Sequence, residues 1–168
     1  MLDYSTGRES RGKVVVLGAG NELLKDEGVG VHVARALIRE KTNAPVEIIE
    51  AGTVLDCLPG DEPISKLVVV DAVHGGCEPG AIYRFTPEEM EPDANNATSI
   101  HNLGLHSSLK MSEITGIKPG ETIIIGVEPK EIDWGTELSK EIQCRIPKVV
   151  ELVLKEINYN AKQEKRTD

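Results

Sequence analysis

Three short aliphatic runs constrain the fold of this chain more than any other feature: Val14-Val15-Val16-Leu17, Leu67-Val68-Val69-Val70 and Thr122-Ile123-Ile124-Ile125-Gly126-Val127. None alternates apolar with polar residues, as a strand with one wet face would. Continuous apolar strands are buried on both faces, the condition of a parallel sheet covered on either side. Helical spacing appears between the runs. Val33, Ala34, Leu37 and Ile38 share one face of a helix expected from residue 29 to about 40. A further strand is expected at Val46-Glu47-Ile48-Ile49-Glu50, then a short helix over 54–58 that Pro59-Gly60 ends. A glycine-rich turn from Gly75 to Gly80 leads into Ala81-Ile82-Tyr83-Arg84-Phe85, expected as an edge strand. Residues 86–96 are acidic and interrupted by Pro87 and Pro92, which predicts a surface loop. A helix is expected over about 103–115, with Gly116 able to cap it. The last helix is expected over 139–157, its apolar stripe running through Ile142, Ile146, Val149, Val150, Val153, Leu154 and Ile157. Pro147 lies inside that stripe and should kink or divide the helix. The polar tail from Asn158 is expected to fray. Alternating strands and helices predict an α/β fold, a three-layer α/β/α sandwich with a largely parallel, twisted sheet. One domain is expected, with its core at about residues 13–157 and polar termini.

Bulk properties narrow the function. At 168 residues the chain can bury a substantial core. Aromatics are only 3%, so that core must rest on Val, Ile, Leu and Ala. A formal net charge of −9 argues against nucleic acid, whose phosphates need a basic face. Cys57, Cys77 and Cys144 form no CxxC pair, so neither a zinc knuckle nor a disulfide framework is supported. Reduced thiols suit a cytoplasmic protein. The N-terminal residues lack the apolar stretch of a secretory signal, and no run approaches the ~20 residues needed to span a membrane.

The chemistry-bearing residues fall where strands hand over to loops. Glu27 lies in Gly18-Ala19-Gly20-Asn21-Glu22-Leu23-Leu24-Lys25-Asp26-Glu27-Gly28-Val29-Gly30, Asp71 ends an aliphatic run, and His101 opens His101-Asn102-Leu103-Gly104-Leu105. In an open parallel sheet the carboxyl ends of the strands share one edge, where ligands bind. Two carboxylates and an imidazole gathered there suit a divalent metal such as nickel or zinc, with positions left for substrate or water. Each residue alone has a plainer reading. Acids before a helix favour the positive end of its dipole, and Asp71 can cap or turn the chain. His74 is a possible auxiliary ligand, whereas His32 and His106 read as structural. Gly18-Ala19-Gly20 invites a dinucleotide reading, with Glu50 imitating a ribose-binding acid. Position 23, where the third glycine belongs, is Leu23, and Asp26 and Glu27 would repel a pyrophosphate. No Gly-x-Ser-x-Gly elbow occurs, and a Cys77–His74 pair has no supporting geometry in the sequence. Trp134 is expected to pack near the last helix.

At these residues the chain resembles the hydrogenase maturation proteases, endopeptidases of nickel-iron hydrogenase large subunits. The likeness runs from about residue 13 to 157. It is carried by Leu17-Gly18-Ala19-Gly20-Asn21, Asp26-Glu27-Gly28-Val29-Gly30, Val70-Asp71-Ala72-Val73, Glu78-Pro79-Gly80, His101-Asn102-Leu103-Gly104 and Gly126-Val127-Glu128-Pro129. The resemblance implies an α/β/α fold and a nickel-recognising set made of Glu27, Asp71 and His101. It implies removal of a C-terminal extension from the large-subunit precursor after nickel insertion, with nickel held by the substrate; zinc or cadmium could occupy the same ligands. Asp71, Glu27 and Asp26 are then the candidates for catalysis, with metal-dependent and aspartic-type chemistry both open. The rival reading from another class is a noncatalytic nickel-binding or chaperone-like module for the same subunit.

Overall fold

The computed structural model describes residues 12–40, 45–53, 62–89 and 118–164. The helices expected over 54–58 and 103–115, most of the acidic loop, and Cys57, His101 and His106 lie outside the described residues. The described elements are β1 (Lys13–Ala19), α1 (Val29–Glu40), β2 (Val46–Gly52), β3 (Ile64–Ala72), β4 (Ile82–Phe85), β5 (Glu121–Val127) and α2 (Lys140–Glu164). The strands form one sheet in the order β2-β1-β3-β5-β4. All pairings are parallel except that of β4 with β5. The expected edge strand is therefore β4, running antiparallel on an otherwise parallel sheet.

Both faces of the sheet are buried, as the aliphatic runs require. Val16, Val68, Val70, Ile123, Ile125 and Val127 point to the side covered by α1 and α2. Their neighbours Val15, Leu17, Leu67, Val69 and Ile124 are equally buried on the opposite side. This period of two, with apolar residues at both phases, is why the strands look continuously hydrophobic. Each fully buried Val, Leu or Ile contributes roughly 1.5–3 kcal/mol relative to exposure.

One expectation for the last helix is corrected: it runs on to Glu164 rather than fraying from Asn158. Of the two outcomes expected at Pro147, a kink or a division, the helix is not divided. Proline 147 removes one donor, the N–H that would reach the Gln143 carbonyl. Both residues are exposed, so water can take that carbonyl. Ile142, Val149, Val150, Val153 and Ile157 stay buried on the other side of the helix and hold it to the sheet across the proline.

A buried ion cluster also fastens α2. Lys66 of β3 is 1% exposed, and its Nζ lies 2.8 Å from Glu156 and 3.2 Å from Glu121. Arg84 of β4 adds a second hydrogen bond to Glu156. Burial opposes ionisation of Glu156, but the bonds from Arg84 and Lys66 outweigh it and hold this carboxyl below its usual value of 4.5. A group whose folded pKa is depressed stabilises the fold above its unfolded pKa. That contribution is lost as pH falls through the folded value, so here the loss begins below about pH 4.5. Removing one partner of a buried pair is costly because the other charge stays behind. Glu156→Gln should therefore cost about 2–3 kcal/mol, somewhat less than a fully isolated pair since Glu121 remains. Thermal melts at neutral pH should show a fall on the order of 5–10 °C, and the gap from wild type should narrow as pH falls below about 4.5. An unchanged melting temperature would mean that Glu121 alone neutralises Lys66.

Candidate functional site

The strand order places β2 and β3 on opposite sides of β1. The chain after β1 turns to β2 on one side and the chain after β3 turns to β4 and β5 on the other, so β1 and β3 flank the switch point of the sheet, the place where a parallel sheet offers a crevice beyond its carboxyl ends. The sequence sends its acids there. Asp71 is the penultimate residue of β3, and the loop after β1 carries Asp26 and Glu27 into a short 3-10 turn, Lys25–Gly28, that feeds α1.

Glycines let these segments crowd together. A methyl group on Gly20 would lie 1.8 Å from the Glu27 carbonyl oxygen and 3.5 Å from Asp71 Oδ1. The backbone of Glu27 and the carboxylate of Asp71 thus converge on the space that Gly20 leaves empty. Gly20 also has φ of +119°, a conformation that side-chain-bearing residues rarely adopt. Glu27 and Asp71 are both buried, at 5% and 2% exposure. Asp71 Oδ1 accepts a hydrogen bond from the Ala72 N–H at 2.8 Å, which fixes one face of its carboxylate. Of the three expected metal ligands, Asp71 and the backbone of Glu27 stand beside Gly20, and the third, His101, lies outside the described residues. Among the described residues no three His, Cys, Asp or Glu side chains cluster closely enough to hold a metal.

Asp26 does something else. Its Oδ2 accepts from the N–H groups of Lys130 at 3.0 Å and Glu131 at 2.8 Å and from Ser139 Oγ at 2.8 Å. Its Oδ1 accepts from the Ser139 N–H at 2.7 Å. A fully buried carboxylate with four donors, three of them on Oδ2, is a clamp: Asp26 ties the β1 loop to residues 130–139.

Glu128 is a site residue that sequence reasoning left without a role. It follows β5, whose register sets Asp71 opposite Gly126. Its Oε2 accepts from the N–H groups of Gly75 at 2.8 Å and Gly76 at 3.1 Å and from the Tyr83 hydroxyl. Burial, then the bond to Glu128, pushes the Tyr83 hydroxyl pKa well up, so it stays a donor. His74 Nδ1 stands 3.7 Å from Glu128 Oε1, and Cys77 donates its N–H to the Tyr83 oxygen at 3.2 Å. Glu128 therefore moulds the turn that leaves Asp71. The readable signal was an acid at the end of a third aliphatic strand, on the same edge as Asp71.

Comparison with known proteins gives the family. The family model for hydrogenase maturation proteases matches residues 31–156. The chain belongs to the hydrogenase maturation protease family. It is 32% identical over 146 residues to the hydrogenase 2 maturation protease of Escherichia coli K12, covering 84% of this chain and 88% of that one. The solved hydrogenase maturating endopeptidase HybD from E. coli superposes with a TM-score of 0.75 at 30% identity, covering 88% of this chain and 93% of that chain. The NiFe hydrogenase maturation protease HybD from Thermococcus kodakarensis gives 0.71 at 31% identity, covering 86% and 99%. The expected α/β fold and hydrolase class follow. Among the described residues no helix is long and apolar enough to cross a membrane.

One further feature of the protease surface departs from expectation. Trp134 does not pack against α2; it is 76% exposed. Its neighbour Asp133 takes its N–H, and Gly135 bonds back to the β1 loop, which holds the segment off the helix. Glu50, the would-be ribose acid, is paired through Oε2 with Arg35 at 2.9 Å, and Arg35 also reaches Glu22 at 2.7 Å. These three residues line an open cleft of about 330 Å³ with Gly20, Asn21 and Leu23, beside the crevice.

Proposed function

We propose that this protease removes the C-terminal extension of a nickel-iron hydrogenase large-subunit precursor after nickel has been inserted. The observation that supports this reading is the convergence of the Glu27 backbone and the Asp71 carboxylate on Gly20, with both acidic residues buried. Carboxylates shielded from water attract a cation more strongly than exposed ones do. Nickel in this reading is part of the substrate. Glu27, Asp71 and His101 contact its accessible side, so only a loaded precursor is held with its scissile bond in place. Zinc or cadmium would suit the same donors. Peptide hydrolysis needs an activated water, and Asp71 is assigned as its base, with Glu27 beside it. The work is assigned to the cytoplasm.

The test is processing of a purified matched precursor with and without nickel, read by mass spectrometry of its C-terminus. Loss of one defined peptide from the nickel-loaded form alone is the expected result. His101→Ala should abolish it. A loaded precursor that binds the protein and is never cut would replace the protease with a chaperone-like module. Equal cutting of both forms would remove nickel from the recognition step.

A further inference from the structure

The β1 loop and residues 130–139 lie side by side at the edge of the crevice, and together they present Leu23, Ile132 and Trp134 at 52%, 44% and 76% exposure. Single exposed apolar residues are ordinary, but three on two joined segments form a surface that water leaves unsatisfied. The support beneath them is stiff. Gly135 donates its N–H to the Leu23 carbonyl at 2.9 Å, and Lys25 donates to the Gly135 carbonyl at 2.8 Å. Lys25 is held at φ of 48°, a left-handed conformation that a lysine adopts only under constraint. Beneath both, Asp26 fastens Lys130, Glu131 and Ser139. Side chains displayed on a braced loop lose little freedom on binding, and tryptophan is the residue type that most often dominates an interface.

The surroundings select the partner. Glu131 and Glu22 are neutralised by Lys25 and Arg35. Asp133 and Glu137 are exposed beside Trp134, in a chain of net charge −9. The patch is also continuous with the site, because Leu23 lines the cleft next to Gly20, and Glu27 follows on the same loop. We infer that Leu23, Ile132 and Trp134 form the docking surface for an apolar segment of the large-subunit precursor bordered by basic residues. This rests on the proposed function and names how the same site takes hold of its substrate. Asp26 is the brace that presents this surface beside Glu27.

Trp134 is the only tryptophan, so 5-fluorotryptophan gives the protease a single fluorine resonance that an unlabelled precursor cannot obscure. Nickel-loaded precursor added to labelled Asp71→Asn protein should shift or broaden that resonance. In processing assays, Trp134→Ala should raise KM about thirtyfold at nearly unchanged kcat, as expected for a central interface tryptophan. Trp134→Phe should recover most of the loss. Ile38→Ser, at an equally exposed position more than two helical turns further along α1, should change nothing. An unmoved resonance and unchanged KM with a precursor that wild type cleaves would overturn the docking surface and leave the protease reading intact. A shifted resonance with a precursor that is never cleaved would keep the surface and overturn the protease reading. A shift that grows with protein concentration alone would assign the patch to a second copy of this chain and overturn the inference.

Discussion

Asp71→Asn should leave the protein folded as wild type and slow precursor processing by about a thousandfold, within the 10²–10⁴ range of a lost general base. The substitution is nearly isosteric. Asparagine keeps an Oδ1 acceptor for the Ala72 N–H, the 2.8 Å bond that holds the end of β3. What it removes is the negative charge and the proton-accepting oxygen. Because Asp71 is 2% exposed, no bulk water stands ready to substitute for either. The check is single-turnover cleavage of nickel-loaded precursor beside a thermal melt of the variant. A wild-type rate would remove Asp71 from the chemistry. Glu27→Gln combined with it should cost far less than the sum of the two losses, since groups that act on one bond do not contribute additively.

The fold was legible because its strands are buried on both faces. That condition wrote continuous aliphatic runs into the sequence, and β1, β3 and β5 fall on them. Strand ends were less visible: β3 extends back to Ile64 through Ser65 and Lys66, which no apolar pattern would include. Lys66 is tolerated there because Glu121 and Glu156 arrive from far along the chain. The unbroken α2 was missed for a related reason, since the sequence shows the proline but not which side of the helix faces water.

The candidate site was legible at the level of edges, not contacts. Asp71 and Glu27 could be placed at one edge because strand–loop junctions are readable. Asp26 and Glu27, adjacent in sequence, could not be told apart. Only the return of Lys130, Glu131 and Ser139 shows that the first is consumed by hydrogen bonds. Glu128 was hidden likewise, as its partners Gly75, Gly76 and Tyr83 lie roughly fifty residues earlier. Trp134 shows the opposite failure. A rare aromatic was assigned to packing, whereas the loop that carries it is held away from the core.

Gly30→Ala should be a severely damaging small change, although local reasoning favours it. Gly30 lies in the first turn of α1, where alanine is the better helix former by roughly 1 kcal/mol. The added methyl would stand 2.1 Å from the Val70 carbonyl oxygen, 2.2 Å from the Ala19 carbonyl oxygen and 2.7 Å from the Ala19 nitrogen. These are backbone atoms of β3 and β1, locked in the ladders that join β1 to its two neighbours, so no side-chain rotation relieves the clash. Overpacking a core ordinarily costs about 1–3 kcal/mol through small shifts. Here α1 must lift from the sheet, and a loss beyond about 4 kcal/mol is expected, a large part of the 5–15 kcal/mol that holds a domain together. Chemical denaturation should show a greatly lowered midpoint, or the variant should fail to accumulate as folded protein. A stabilised variant would mean that α1 does not press so closely on the strand ends. That closeness is also what carries the Lys25–Gly28 turn, and Glu27 within it, to Gly20 and the neighbouring Asp71, so a helix lifted far enough to admit one methyl would disturb the placement of Glu27 on which the proposed reaction depends.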